Sequence, residues 1–150
     1  MHLPKTLLVP TDFSEPAEHA LDYAVELAGK LGAKIHLLNV IGIPALGLAD
    51  LGVAVSAATI ESTIQIHQAE IEQLAARHAG ADVETMLRTG DARDVIAEVA
   101  KQIGADLIVM GTHGRRGVRR ALIGSIAEGV LRIAPCPVLT IREPRHAKAA

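Results

Sequence analysis

The chain has 150 residues and one cysteine, Cys136, so it fits one domain and excludes an internal disulfide framework. Apolar residues make up 49% and charged residues 21%, the balance of a globular domain that buries its own core. A formal charge of −2 gives no bulk attraction to nucleic acid, and Phe13 and Tyr23 are the only aromatic side chains on which bases could stack. No nucleic-acid partner is therefore expected.

Met1-His2-Leu3-Pro4-Lys5 carries no apolar signal core, so a cytoplasmic location is expected. Thr6 to Val9 is a short apolar run that ends at Pro10 and reads as a buried strand. Pro16 belongs to the first turn of a helix whose buried face is Ala17, Ala20, Leu21, Ala24, Ala28 and Leu31, with Gly29 and Gly32 as stop signals. Lys34 to Val40 is a second buried strand. From Val40 to Ile60 the sequence carries one charge, Asp50, and has the length of a membrane span. Gly42, Pro44, Gly47 and Gly52 interrupt it and basic flanks are missing, so Ile41–Ala58 is expected to be an apolar loop rather than a stable membrane span. Ile60, Ile64, His67, Ile71, Leu74 and His78 then recur at helical spacing and predict a helix over about Thr59 to His78.

Val83 to Leu87 alternates as a strand. Gly90-Asp91 opens a third helix with the stripe Val95, Ile96, Val99 and Ile103. Leu107 to Met110 is another apolar strand. Ser125-Ile-Ala-Glu128 matches a capping box and starts a fourth helix. Pro137 to Ile141 is the last strand, and the polar tail from Glu143 is expected to be loose. Strands alternating with helices imply an α/β domain, a mostly parallel open sheet with helices on both faces. Such sheets bind ligands beyond the carboxyl ends of their strands. Here those ends are Pro10 to Ser14, Val40 to Gly42, Leu87 to Gly90 and Met110 to Gly114.

Gly111-Thr-His-Gly114 follows a strand, and Gly124-Ser125 opens a helix. Glycines permit close backbone approach, and a helix N-terminus offers unpaired N–H groups with a positive dipole end. The pattern predicts a phosphate cradle, although Gly111 could serve only to turn the chain and Ser125 only to cap its helix. It is not a Walker loop, since Gly124-Ser125 lacks the lysine. It is not a dinucleotide fingerprint, since Val9 to Ser14 contains no glycine. Arg115, Arg116, Arg119 and Arg120 could neutralise phosphate charge or form a solvated basic face. His113 could donate to phosphate. Asp12 could take ribose hydroxyls, help hold Mg²⁺, or cap a local turn. His67 and His78 lie eleven positions apart, roughly 16 Å along a helix, too far to share a metal ion. Cys136, between two prolines, is expected to be an inert packed thiol.

Three segments, Val9-Pro-Thr-Asp12-Phe-Ser14, the loop Gly111 to Ser125 and Ala134-Pro-Cys-Pro-Val138, make the chain resemble the universal stress protein family from Lys5 to about Arg142. The loop reads Gly-x2-Gly-x9-Gly-Ser, the pattern of that family's ATP-binding branch. The resemblance implies five parallel strands in the order 3-2-1-4-5 and a homodimer formed through the last strand, Pro137–Ile141. It implies that Asp12 contacts ribose, that the Val40 backbone binds the adenine edge, and that Met110 and Gly111 line base and ribose. Gly114, Gly124, Ser125 and Ile126 would hold phosphate. With the strand-end residues Pro10 and Thr11, and with His113 and Arg115, these form the expected site for ATP, accompanied by Mg²⁺, or for another adenine nucleotide. A nucleotide-responsive protein with at most slow hydrolysis is expected. A true ATPase or phosphotransferase and a nucleotide-free interaction module are the alternatives.

Overall fold

The computed structural model describes residues 2–42, 56–113 and 123–143. Most of the apolar loop after Ile41, the segment containing Gly114, Arg115, Arg116, Arg119 and Arg120, and the tail after Glu143 lie outside the described residues.

The elements follow as β1 (Thr6–Thr11), α1 (Glu15–Leu31), β2 (Lys34–Ile41), α2 (Ala57–Ala76), β3 (Val83–Thr89), α3 (Ala92–Gln102), β4 (Leu107–Gly111), α4 (Ser125–Ile133) and β5 (Val138–Ile141). All strand pairs are parallel, and the sheet order is β3-β2-β1-β4-β5, as expected from the resemblance. Alternation along the strands feeds two cores. Leu7, Val9, Ile35, Leu37 and Val109 pack with Leu21 and Ala24 of α1 and with Ile71 and Leu74 of α2. Leu8, Leu38, Ile108 and Met110 pack on the other face with Ile96 and Val99 of α3 and with Ala127 and Val130 of α4. Strands buried on both faces explain the unbroken apolar runs.

Local signals fix most helix ends. Pro16 sits in the first turn of α1, and Gly32 at φ +61° lets the Ala33 N–H return to the Ala28 carbonyl at 3.0 Å. Asp91 caps α3 through the N–H groups of Arg93 and Asp94. The expected capping box at α4 is not formed. Gly124 is the N-cap, Ser125 is the first helical residue, no side chain caps the terminus, and Glu128 pairs instead with Arg132 at 2.9 Å. In α2 the apolar stripe is longer than its contact with the sheet. Ile71 and Leu74 are buried, while Ile64 is exposed, because only the C-terminal half of the helix lies on the strands.

Pro10 does not end β1; the strand runs on to Thr11. The Lys5 carbonyl accepts from Lys34 on the β2 side and the Thr6 carbonyl accepts from Asp106 on the β4 side. Backbone alternation therefore turns the missing N–H of Pro10 towards β4. There the β1–β4 ladder holds Leu7↔Leu107 and Leu8↔Ile108 and stops, although both strands continue. The two strands part above that point and leave an opening at the centre of the sheet.

His36 on β2 carries a buried Nδ1 with no hydrogen-bond partner among the described residues. Burial pushes its pKa below the ordinary 6.5; Glu84 opposes, Lys34 adds to the depression and Asp82 opposes. The unfolded chain thus binds this proton more readily than the folded one. Its contribution to stability is complete above about pH 6.5 and is lost as pH falls through that value towards the lower folded pKa. His36→Leu, apolar and of similar size, is expected to lose less stability between pH 7.5 and pH 5.5 than the parent chain in urea denaturation. Equal losses in both proteins would assign His36 no part in the pH dependence.

Candidate functional site

Where β1 and β4 part, a cleft of about 630 Å³ opens. Pro10, Thr11 and Asp12 come to it from β1 and the turn beyond, Val40 from the end of β2, and Met110, Gly111 and His113 from β4 and its exit. Gly124, Ser125 and Ile126 close it from the start of α4. Every expected site residue among the described ones thus lines one cleft; Gly114 and Arg115 fall outside them.

The two ends of the cleft differ in chemistry. Val40, Ala92, Ile96 and Met110 make one end apolar. The other end carries Thr112, His113 and the N-terminus of α4. The first intrahelical bond of α4 runs from the Glu128 N–H to the Gly124 carbonyl at 2.9 Å, so the N–H groups of Ser125, Ile126 and Ala127 have no acceptor within the helix. A helix end left in this way, facing a cleft, attracts anions. Thr112 is buried and its Oγ1 lies 3.0 Å from His113 Nδ1, while His113 Nε2 is buried without a partner among the described residues.

Thr112, Ala92, Ile96, Ala17, Ile123 and Ala127 also line the cleft, beyond the residues expected from the sequence. Thr112 directly follows Gly111, and Ala92 and Ile96 begin the helix that leaves the strand end Leu87–Gly90, so position beside a strand end was the available signal.

Asp12 shapes its own turn. Its Oδ1 accepts the Ser14 N–H at 3.0 Å and the Ser14 hydroxyl, and Asp12 has further polar contact besides. Phe13 follows with φ +63°, a left-handed conformation rare outside glycine, and its N–H returns to Thr11 Oγ1 at 3.0 Å. Val40 lies beyond the last β1–β2 pair, Thr11↔Asn39. The Ile35 N–H bonds Asp82 ahead of β3 and the Lys34 N–H bonds Lys5 ahead of β1, so alternation turns Val40's backbone groups to the β1 side. Since the Phe13 N–H is committed to Thr11, it does not cap the Val40 carbonyl.

Gly111 and Gly124, the glycines of the loop among the described residues, also serve the chain itself. A Cβ on Gly111 would meet the Pro16 carbonyl oxygen at 2.9 Å, and one on Gly124 would meet the Thr112 carbonyl oxygen at 2.9 Å. Both neighbours are backbone and cannot swing aside. Gly111 allows the first turn of α1 to pack on β4, and Gly124 allows the loop to close through its N–H bond to Thr112. Among the described residues no group of histidines, cysteines and carboxylates is placed to hold a metal ion. No helix among them is long and apolar enough to cross a membrane. Burial pushes the pKa of the Cys136 thiol up, away from the reactive thiolate.

The family model for universal stress proteins matches residues 4–142, nearly the whole chain. The chain belongs to the universal stress protein family. A universal stress protein of Methanocaldococcus jannaschii is 32% identical over 150 residues, spanning 96% of this chain and 85% of that protein. A putative universal stress protein of Staphylococcus haemolyticus is 32% identical over 139 residues, spanning 92% and 84%. Among solved structures, the universal stress protein UspA from Lactobacillus plantarum is 29% identical with a TM-score of 0.77, covering 92% of this chain and 97% of that one. The hypothetical protein MJ0577, whose biochemical function was assigned from its structure, is 26% identical with a TM-score of 0.80, covering 94% and 97%. Two universal stress proteins that share the fold at lower identity were solved as complexes. One holds cAMP, at 22% identity and a TM-score of 0.70. The other, from Archaeoglobus fulgidus, holds dAMP, at 24% identity and a TM-score of 0.62.

Proposed function

We propose that this universal stress protein binds an adenine nucleotide, ATP foremost, in the cleft between β1 and β4 and acts as a nucleotide-responsive protein. The observation that carries this reading is the polarity of the cleft: an apolar end at Val40, Ala92, Ile96 and Met110, and an uncapped helix N-terminus at the other. The apolar end suits the base, with the Val40 carbonyl available to an exocyclic amine. Asp12, in the turn beyond β1, would take the ribose hydroxyls. The N–H groups of Ser125, Ile126 and Ala127, and His113 Nε2, which has no partner among the described residues, suit the phosphates. The cAMP and dAMP complexes of relatives with the same fold support an adenine nucleotide as the ligand class.

Responding suits this cleft better than turnover. Among the described lining residues Asp12 is the one carboxylate, and it is engaged in the Ser14 turn at the nucleoside half. Among the described lining residues no carboxylate faces the α4 end to activate a water there. Mg²⁺ would arrive as part of the ATP complex. Denaturing the purified protein and analysing the supernatant by mass spectrometry is expected to release an adenine nucleotide. If none is released, calorimetric titration with ATP, AMP and cAMP is expected to show binding and to rank the three. Absence of binding to all three at millimolar concentration would overturn the reading.

The same reading includes a homodimer through β5, an edge strand whose outer side has no sheet partner among the described residues. The Pro137 and Ile141 carbonyls accept from Ile108 and Thr112 on the β4 side, so Val138 and Thr140 turn their backbone groups to the open edge. Leu131 and Ile133 on the adjacent α4 are exposed. Thr140→Pro removes an outward N–H and no bond to β4. Sedimentation is expected to show a dimer for the parent chain and a folded monomer for the variant. A variant that remains dimeric would place the interface elsewhere.

A further inference from the structure

His67 lies on α2, a helix that contributes no residue to the described lining of the cleft. Its ring nevertheless reaches beneath the walls on both sides of the nucleoside half. On one side His67 Nδ1 is 2.8 Å from Asn39 Oδ1, and Asn39 Nδ2 donates to the Thr11 carbonyl at 2.8 Å. A carbonyl only accepts, so the Asn39 amide nitrogen must face Thr11 and its oxygen must face His67. The proton on the histidine then sits on Nδ1, which donates. Asn39 is 3% exposed and immediately precedes Val40, so this bond fixes the backbone that carries the Val40 carbonyl. On the other side the His67 ring meets Phe13 edge-on, with centroids 5.7 Å apart and planes at 67°. Phe13 holds the left-handed conformation that follows Asp12. A side chain in that conformation persists only where its surroundings hold it.

We propose that His67 is a positioning residue for the nucleotide: through Asn39 and Phe13 it sets the Val40 carbonyl and the Asp12 turn at once, and so ties the nucleoside half of the cleft to helix α2. The proposal rests on the reading of the cleft given above and adds a role for a residue that touches no ligand. It separates the two halves of the site, because nothing in this network reaches Ser125, Ile126 or Ala127.

His67→Phe keeps a ring against Phe13 and removes the donor to Asn39. His67→Asn restores a donor near the Nδ1 position. His67→Phe is expected to weaken AMP about tenfold and to leave competition by inorganic tripolyphosphate unchanged, with His67→Asn recovering most of the AMP affinity. Amide hydrogen exchange of the ligand-free protein is expected to quicken in His67→Phe at Val40 and Ile41. Unchanged AMP affinity, or an equal loss for tripolyphosphate, would overturn the proposal. Should the parent chain bind none of ATP, AMP and cAMP, the function proposed above fails, and unchanged exchange at Val40 and Ile41 would then overturn the positioning role by itself; should it bind ATP but not AMP, ATP replaces AMP in the comparison. Should His67→Phe fail to fold, ¹⁵N shifts of the parent's histidines decide. A neutral His67 protonated on Nε2 rather than Nδ1 removes the bond on which the proposal stands.

Discussion

Replacing Ser125 by proline is expected to weaken ATP binding by about 10- to 100-fold, the loss of one or two hydrogen bonds to a charged group. It is expected to change stability by less than about 0.5 kcal/mol, because proline suits the first helical position, where the N–H has no intrahelical acceptor. Ser125 is that first residue of α4, and Gly124 before it has φ −63° and ψ 158°, a conformation that a following proline accepts. The substitution therefore takes one donor from the proposed phosphate site without loosening the helix that presents it. Ser125→Ala is the companion, removing the hydroxyl and keeping the N–H. Isothermal titration of the three proteins separates the two contributions. ATP affinity equal to the parent's in Ser125→Pro would mean that this helix end does not hold the phosphates. A side chain at Gly124 would be a poorer probe, since it strikes the chain's own Thr112 carbonyl before it reaches any ligand.

The architecture was largely legible because β1, β2 and β4 are buried on both faces and so read as unbroken apolar runs, while β3 on the edge reads as an alternation. Capping residues at Asp91 and Gly32 marked helix ends for local reasons that a sequence displays. The order of the strands came from the resemblance, since periodicity does not say which strands are neighbours. The misreadings share one cause. Ser125 and Glu128 have the spacing of a capping box, yet the helix begins one residue earlier than that motif requires, and Glu128 finds Arg132. Ile64 continues a helical stripe that the sheet does not reach. Pro10 looks like a strand end, yet its missing N–H falls on the side where the ladder has already stopped. In each case the local pattern is real, and the structure around it decides its use. The same holds for His67, whose partner Asn39 is 28 positions away.

At the opposite end of the cleft, Ala92→Phe is expected to abolish binding of AMP and ATP alike, by more than about 100-fold, through filling the space reserved for the base. Ala92 is the first residue of α3, half-buried, with its side chain on the apolar wall beside Val40, Ile96 and Met110. Its helix end is already held by Asp91, whose carboxylate takes the Arg93 and Asp94 N–H groups, so the added ring has no cap to disturb. A ring that enters an open apolar cleft gains burial instead of overpacking a closed core, so thermal stability should hold or rise slightly. The two substitutions make an orientation test. With the base at Ala92 and the phosphates at Ser125, Ala92→Phe removes AMP binding and spares tripolyphosphate, whereas Ser125→Pro costs ATP and tripolyphosphate more than adenosine. The inverse pattern, with tripolyphosphate lost on filling the apolar end, would turn the nucleotide around in the cleft and remove Val40 and Asp12 from their roles. That outcome conflicts with the physics of the site, since it would set a triphosphate on Val40, Ile96 and Met110 and leave a helix N-terminus facing an uncharged base.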